Sequence, residues 1–190
     1  MLMEIFILII LTFFSSFYFK TKPTEKREAL VMETGAFKKY LTPTYFKPIK
    51  IYTDQIDVNV QEVGVEEDGT LSVPSNWQDA GWYINSAKSG EIGNVIIDGH
   101  YDTNTGSPAA FWNLKNLKVN DKVKVVDEIG KEYIYKVTTS YYVDIEDPDR
   151  SDVFGGSKVP TVTLITCGGV WIPGSSTYSK RLVVKAELVS

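Results

Sequence analysis

Two residue types that carry much of enzyme chemistry are almost missing from this chain. Its 190 residues hold one cysteine, Cys167, and one histidine, His100. A single cysteine excludes an internal disulfide and any cysteine-rich zinc site. It leaves the compartment open, because many exported proteins carry no disulfide. Arginine is scarce too, with only Arg27, Arg150 and Arg181. A basic surplus is lacking where the β-patterned part of the chain lies: residues 48–190 carry thirteen Lys/Arg against twenty Asp/Glu, a balance of −7. That balance argues against nucleic acid, whose phosphates need a basic face. It permits a cationic partner. No internal repeat is present.

What the chain does have is apolar and aromatic matter, 43% and 13% of its residues. This suffices for one ordered domain plus a tail. The tail is N-terminal. Leu2–Phe19 is an eighteen-residue apolar stretch broken only by Glu4, Thr12, Ser15 and Ser16, about the minimum length for a bilayer span. A cleaved signal peptide is the alternative, but the small-residue cleavage pattern is missing. Phe17, Tyr18 and Phe19, followed by Lys20 and Lys22, read instead as an interfacial belt. The expectation is therefore a transmembrane signal-anchor over residues 1–19. Residues 1–47 hold seven Lys/Arg and four Asp/Glu. The basic residues follow the apolar stretch, and the positive-inside tendency on its own places the C-terminal part in the cytoplasm. Residues 20–47, with Pro23, Pro43 and a short helix expected over Glu25–Tyr40, read as a tether.

From residue 48 the pattern is β. Ile49 and Ile51, then Val58, Val60 and Val63, alternate with polar neighbours, and Leu71 and Val73 alternate after the turn at Glu67-Asp68-Gly69-Thr70. Val95-Ile96-Ile97 suits a buried strand. Pro108–Leu117 is the best helical piece, with proline in its first turn. Val123 and Val125, the turn Glu128-Ile129-Gly130, and Tyr133, Tyr135 and Val137 form a hairpin. Thr161–Cys167 is a strand, and Leu182, Val184, Ala186 and Leu188 alternate to the C-terminus. Seven or eight short strands with little helix predict a mainly β fold, a closed barrel or a sandwich.

The chemistry is sought in Cys167 and His100. A cysteine nucleophile acts as its thiolate, and a nearby imidazole can take the proton and later deliver it to a leaving amine. Both residues sit beside glycines where strands give way to loops. Acyl transfer further needs donors where the oxyanion forms. Period-two parity puts Leu182, Val184 and Ala186 on one face and Arg181 on the other, and places Cys167 opposite Val162 and Leu164. Cys167 and Arg181 thus both avoid the densest apolar face, and a groove outside a barrel can hold them. Arginine suits the role because it stays charged and donates in a planar fork. Asp102 and Asp98, each two residues from His100, are candidates to orient the imidazole. Against all this, a lone cysteine is most often a small buried hydrophobe, a lone histidine a packing residue, and an arginine at a strand start solvated.

Thr163-Leu164-Ile165-Thr166-Cys167 resembles the Thr-Leu-x-Thr-Cys motif of sortases, the membrane-anchored cysteine transpeptidases of bacterial surfaces. Gly99-His100-Tyr101-Asp102 resembles their histidine segment and Arg181-Leu182-Val183-Val184 their arginine strand, in the same order. Asp68-Gly69-Thr70 to Val73-Pro74, Gly81-Trp82-Tyr83, Pro108-Ala109-Ala110-Phe111-Trp112 and Cys167-Gly168-Gly169 are similar to the group called class F. The resemblance covers roughly residues 48–190. It implies an eight-stranded β-barrel with short helices, held outside the membrane by the N-terminal anchor. It implies Cys167 as nucleophile, His100 as acid/base and Arg181 as oxyanion and substrate clamp, with Thr166 of the motif in support. The implied reaction cleaves a Leu-Pro-x-Thr-Gly-like sorting signal through a thioacyl intermediate. The acyl group then passes to an amine of a cell-wall precursor or a pilin lysine. That chemistry needs no cofactor or metal. Some sortases depend on calcium, and Glu66, Glu67 and Asp68 are acidic, but a solvated turn explains them. Val170-Trp171-Ile172-Pro173 departs from the Phe-Asp that often follows in class F, and Lys180 directly precedes Arg181. Two other readings remain: a thiol peptidase resolved by water, and a catalytically silent peptide-binding barrel. The Ser-x-Gly-Cys-x-Arg pattern of L,D-transpeptidases is absent.

Overall fold

The computed structural model describes residues 44–190. The expected anchor over 1–19 and nearly all of the tether lie outside them. Among the described residues no helix is long and apolar enough to cross a membrane.

Eight strands close a barrel. They are β1 (Pro48–Tyr52), β2 (Asp57–Val63), β3 (Ala80–Tyr83), β4 (Gly93–Gly99), β5 (Lys122–Asp127), β6 (Glu132–Asp144), β7 (Pro160–Ile172) and β8 (Thr177–Leu188). Their order around the barrel is β1-β2-β3-β4-β7-β8-β6-β5, with β5 returning to β1. Of the two folds expected, the structure has the barrel. Alternation sets its interior: Ile51, Val58, Val60, Val123, Val125, Val137, Val162, Leu164, Leu182 and Val184 share one core, and closure removes the exposed edges.

β4 and β7 run parallel, from Gly93 opposite Pro160 to Asp98 opposite Ile165. Parallel strands covered on both faces read as near-continuous apolar runs; Val95-Ile96-Ile97 does so, while Val162–Ile165 is interrupted by the buried Thr163, whose Oγ1 donates to Asn94 Oδ1 at 2.6 Å. The strands' outward residues Ile96 and Ile165 join Val183 of β8 and Val153 in a second apolar cluster. Val153 belongs to α1 (Ser151–Phe154), one turn in the β6–β7 connection. Asn94 Nδ2 pins α1 by donating to Val153 O at 2.9 Å and to Gly155 O at 3.1 Å.

Several sequence expectations change. Leu71 makes only an isolated bridge to Val65, and Val73 lies in no strand. Pro108–Leu117 is not one helix. Pro108 bridges Asp102, Phe111 N donates to His100 O, and only Trp112–Asn116 coils, as a 3-10 turn. The backbone groups a longer helix would use are committed to the histidine loop. β7 does not stop at Cys167 but continues through both glycines to Ile172.

Candidate active site

The two glycines after Cys167 are needed for shape rather than looseness. A Cβ on Gly168 would sit 2.7 Å from the Tyr142 ring. Gly169 has φ +81°, where only glycine is unstrained, and the β7–β8 register shifts between Gly168 and Trp171. Such a bulge bends its strand locally and increases its twist. Val170 (73% exposed) and Trp171 (48% exposed) ride on it.

Cys167 and Arg181 are direct cross-strand partners on β7 and β8. Each stands two residues beyond a member of the outer apolar cluster, Ile165 and Val183 respectively, so both face outward. The Arg181 guanidinium is fixed along the hairpin. Nη1 donates to Tyr178 O and Lys180 O, and Nη2 to Thr177 Oγ1, all at 3.1 Å. No carboxylate pairs with it among the described residues. Its charge therefore remains available to an anion.

His100 immediately follows β4. Asp98 is opposite Ile165, and Thr166 Oγ1 donates to Gly99 O at 2.7 Å, extending the β4–β7 match by one residue. The ladder itself ends at Asp98 and Ile165, and His100 and Cys167 each lie two residues past that pair. Thr166 thus ties the strand carrying the thiol to the residue before the imidazole. His100 Nε2 donates to Pro74 O at 3.0 Å, and the ring lies 4.3 Å from that of Trp77. A neutral imidazole donating through Nε2 keeps Nδ1 as its acceptor.

Asp102 engages Tyr178 rather than the imidazole: Tyr178 Oη donates to Asp102 Oδ2 at 2.5 Å, and this bond pushes the phenol up to about 12. Through Tyr178, whose carbonyl also receives Arg181, the histidine loop and the arginine strand are laced together. Asp98, the other acid considered for orienting the ring, is buried, and its Oδ1 has no hydrogen-bond partner. Tyr178, Pro74 and Trp77 were not found from the sequence. No local spacing announces a contact across 76 or 26 residues.

Burial pushes the Cys167 thiol above its ordinary value. The nearby Arg181 charge opposes this, and Asp102 and Asp98 add to it. At neutral pH the sulfur is therefore mainly a thiol. Attack requires either the minor thiolate or proton transfer to an adjacent base. An aromatic border runs beside these groups: Tyr101 stacks on Trp112 at 4.5 Å, Tyr178 meets Tyr101 edge-on at 5.6 Å, and Trp171 meets Tyr178 at 5.2 Å. Two clefts among the described residues, one by Gln55 and Asn113 and one by Ser157 and Lys185, include none of Cys167, His100 and Arg181. No group of three or more His, Cys, Asp or Glu gathers in metal-ligand fashion among the described residues. Asp68 Oδ1 accepts from Thr70 N and Oγ1 within its own turn.

An outward cysteine faces its cross-strand arginine on this β-barrel, and the histidine directly follows the neighbouring strand, a set of groups suited to thiol chemistry. The Sortase domain family model matches residues 49–189, and the chain belongs to that family. Its activity is accordingly of the cysteine transpeptidase type. The fold is similar to sortase A of Listeria monocytogenes (TM-score 0.56, 22% identity, covering 75% of this chain and 88% of that one). It is similar also to a Clostridium perfringens sortase D5 transpeptidase (0.54, 23%, 93% and 95%) and to sortase C1 of Streptococcus agalactiae (0.57, 21%, 79% and 70%). No curated protein matches the chain by sequence.

Proposed function

We propose that this protein is a single-pass membrane enzyme whose barrel faces outward, cleaving a Leu-Pro-x-Thr-Gly-like sorting signal and joining it to an amine. The amine belongs to a cell-wall precursor or a pilin lysine. The observation that carries this reading is the Cys167–Arg181 cross-strand pair with His100 at the end of the neighbouring strand. In the first step the Cys167 sulfur attacks the scissile carbonyl carbon and its proton passes to His100. Negative charge gathers on the carbonyl oxygen, where Arg181 is the available cation. The C–N bond then breaks, His100 protonates the leaving amine, and a thioester remains on Cys167. In the second step the acceptor amine attacks that thioester, gives its proton to His100 and expels the sulfur as thiolate. Proton transfer of this kind contributes about 10²–10⁴-fold. The membrane placement rests on the apolar stretch Leu2–Phe19 and on the family's habit of holding its barrel outside.

Incubating the full chain with a sorting peptide, with and without an amine acceptor, tests the reaction. An amide-linked product that appears only with the acceptor is expected. Hydrolysis alone under every acceptor would assign the chain to thiol peptidases, and no cleavage at all would leave a binding barrel.

A further inference from the structure

One buried titratable group near the nucleophile has no part in that reaction. Asp98 is 6% exposed, and its Oδ1 is among four buried side-chain polar atoms without a partner in the described residues. It stands on β4 two residues beyond Ile96 and faces outward like it, beside Ile165 of β7. It is therefore one pleat below the row that holds His100 and Cys167. β3 makes the room. Gly81 is the cross-strand partner of Asp98, and a Cβ there would lie 2.7 Å from both Asp98 Oδ1 and Val63 Cγ1. Burial pushes the carboxyl up to about 8, so at neutral pH it is chiefly the acid, with one O–H to donate and oxygen left to accept. A buried polar group without a partner costs folding free energy that an apolar side chain of similar size does not. Next to a nucleophile, the same unpaired group can reject ligands that fail to complete it.

We propose that Asp98 is a specificity-determining residue that hydrogen-bonds an uncharged polar group of the acyl-donor peptide. An extended peptide with its scissile carbonyl at Cys167 crosses Asp98 about two residues away, since each residue spans about 3.3 Å. The apolar surroundings of Ile96, Ile165 and Val183 favour a neutral partner over an ammonium, whose desolvation they would not offset. This inference rests on the peptide-transferase reading above.

The test uses the full chain and peptides varied singly within three residues of the scissile bond. kcat/KM is measured for the wild type, Asp98→Asn and Asp98→Leu. Binding is measured on Cys167→Ala with and without Asp98→Leu, and Tm for every variant. At one position the wild type should favour Asn, Gln, Ser or Thr over an apolar side chain of similar size by about tenfold or more. Asp98→Asn should keep that preference. Asp98→Leu should lose it and melt higher, because the unpaired group is gone. Matching profiles in all variants, a lysine preference lost in Asp98→Leu, or a lower Tm for Asp98→Leu would each overturn the proposal. If no peptide turns over, the transferase reading fails by itself, and the binding preference still decides the role of Asp98. Absence of any binding overturns both.

Discussion

The inner and outer faces of β4, β7 and β8 are built from alternate residues of the same strands, yet they have different tasks. Inward, Val95 and Ile97, Val162 and Leu164, and Leu182 and Val184 are all buried in one core. Outward, each strand passes from apolar to polar or reactive within one pleat: from Ile96 to Asp98 on β4, from Ile165 to Cys167 on β7 and from Val183 to Arg181 on β8. Cutting the inner face should cost stability and leave the chemistry of each folded molecule alone. Cutting the outer face should do the reverse.

The largest effect should come from Cys167→Ala, which removes the proposed nucleophile. Turnover should fall by on the order of 10⁴-fold or more, with a Tm close to wild type. Arg181→Ala should lower kcat by about 10²–10³-fold, the usual effect of losing an oxyanion donor. It should also raise the pH at which the thiol becomes reactive to iodoacetamide, since Arg181 is the group that lowers the Cys167 pKa. Leu164→Ala on the inner face should destabilise by about 2–5 kcal/mol without moving that alkylation midpoint. The smallest effect should come from Asp102→Asn. Losing a charge that disfavours the thiolate should move the alkylation midpoint down, whereas an upward shift would mean that the tie to Tyr178 matters more than the charge.

Two buried aspartates repeat the contrast at the scale of single groups. Asp127 is fully buried and fully occupied. Its Oδ1 accepts from Ile129 N and Lys131 N at 3.1 and 2.8 Å, and its Oδ2 accepts from Tyr133 Oη at 3.1 Å, which closes the β5–β6 turn. Asp98 is nearly as buried and has an empty oxygen. Its folded pKa of about 8 lies above the ordinary value of 3.8. The folded protein therefore holds a proton that the unfolded chain has released between those values. The stability this contributes is full below pH 3.8 and is lost by about pH 8. Asp98→Asn should flatten the fall in stability across that window, where a proton taken up on folding gives a slope of up to about 1.4 kcal/mol per pH unit. Denaturant midpoints measured at each pH would show it, and unchanged slopes would mean the carboxyl is ionised throughout.

Period-two alternation made most strands legible, because one face of each is core. It also gave the shared outward face of Cys167 and Arg181, which needs only parity counted along β7 and β8. β3 escaped notice: four residues, Ala-Gly-Trp-Tyr, are too few to show a period, and its pairing with β2 is parallel and non-local. Pro108–Leu117 had helical composition, but its backbone is drawn off to the histidine loop. The glycines after Cys167 read as an end to β7 and are instead what lets β7 bulge and continue. The Tyr178–Asp102 bond and the unpaired Asp98 oxygen depend on how distant strands meet, which no local pattern encodes.

The central claim is that Cys167 carries the acyl group. Mass spectrometry of the full chain, quenched in acid during turnover of a sorting peptide without acceptor, tests it most directly. The mass should rise by that of the N-terminal peptide fragment, on the fragment containing Cys167, and hydroxylamine should remove it. Peptide cleavage continuing in Cys167→Ala, or an adduct located on any other residue, would contradict it.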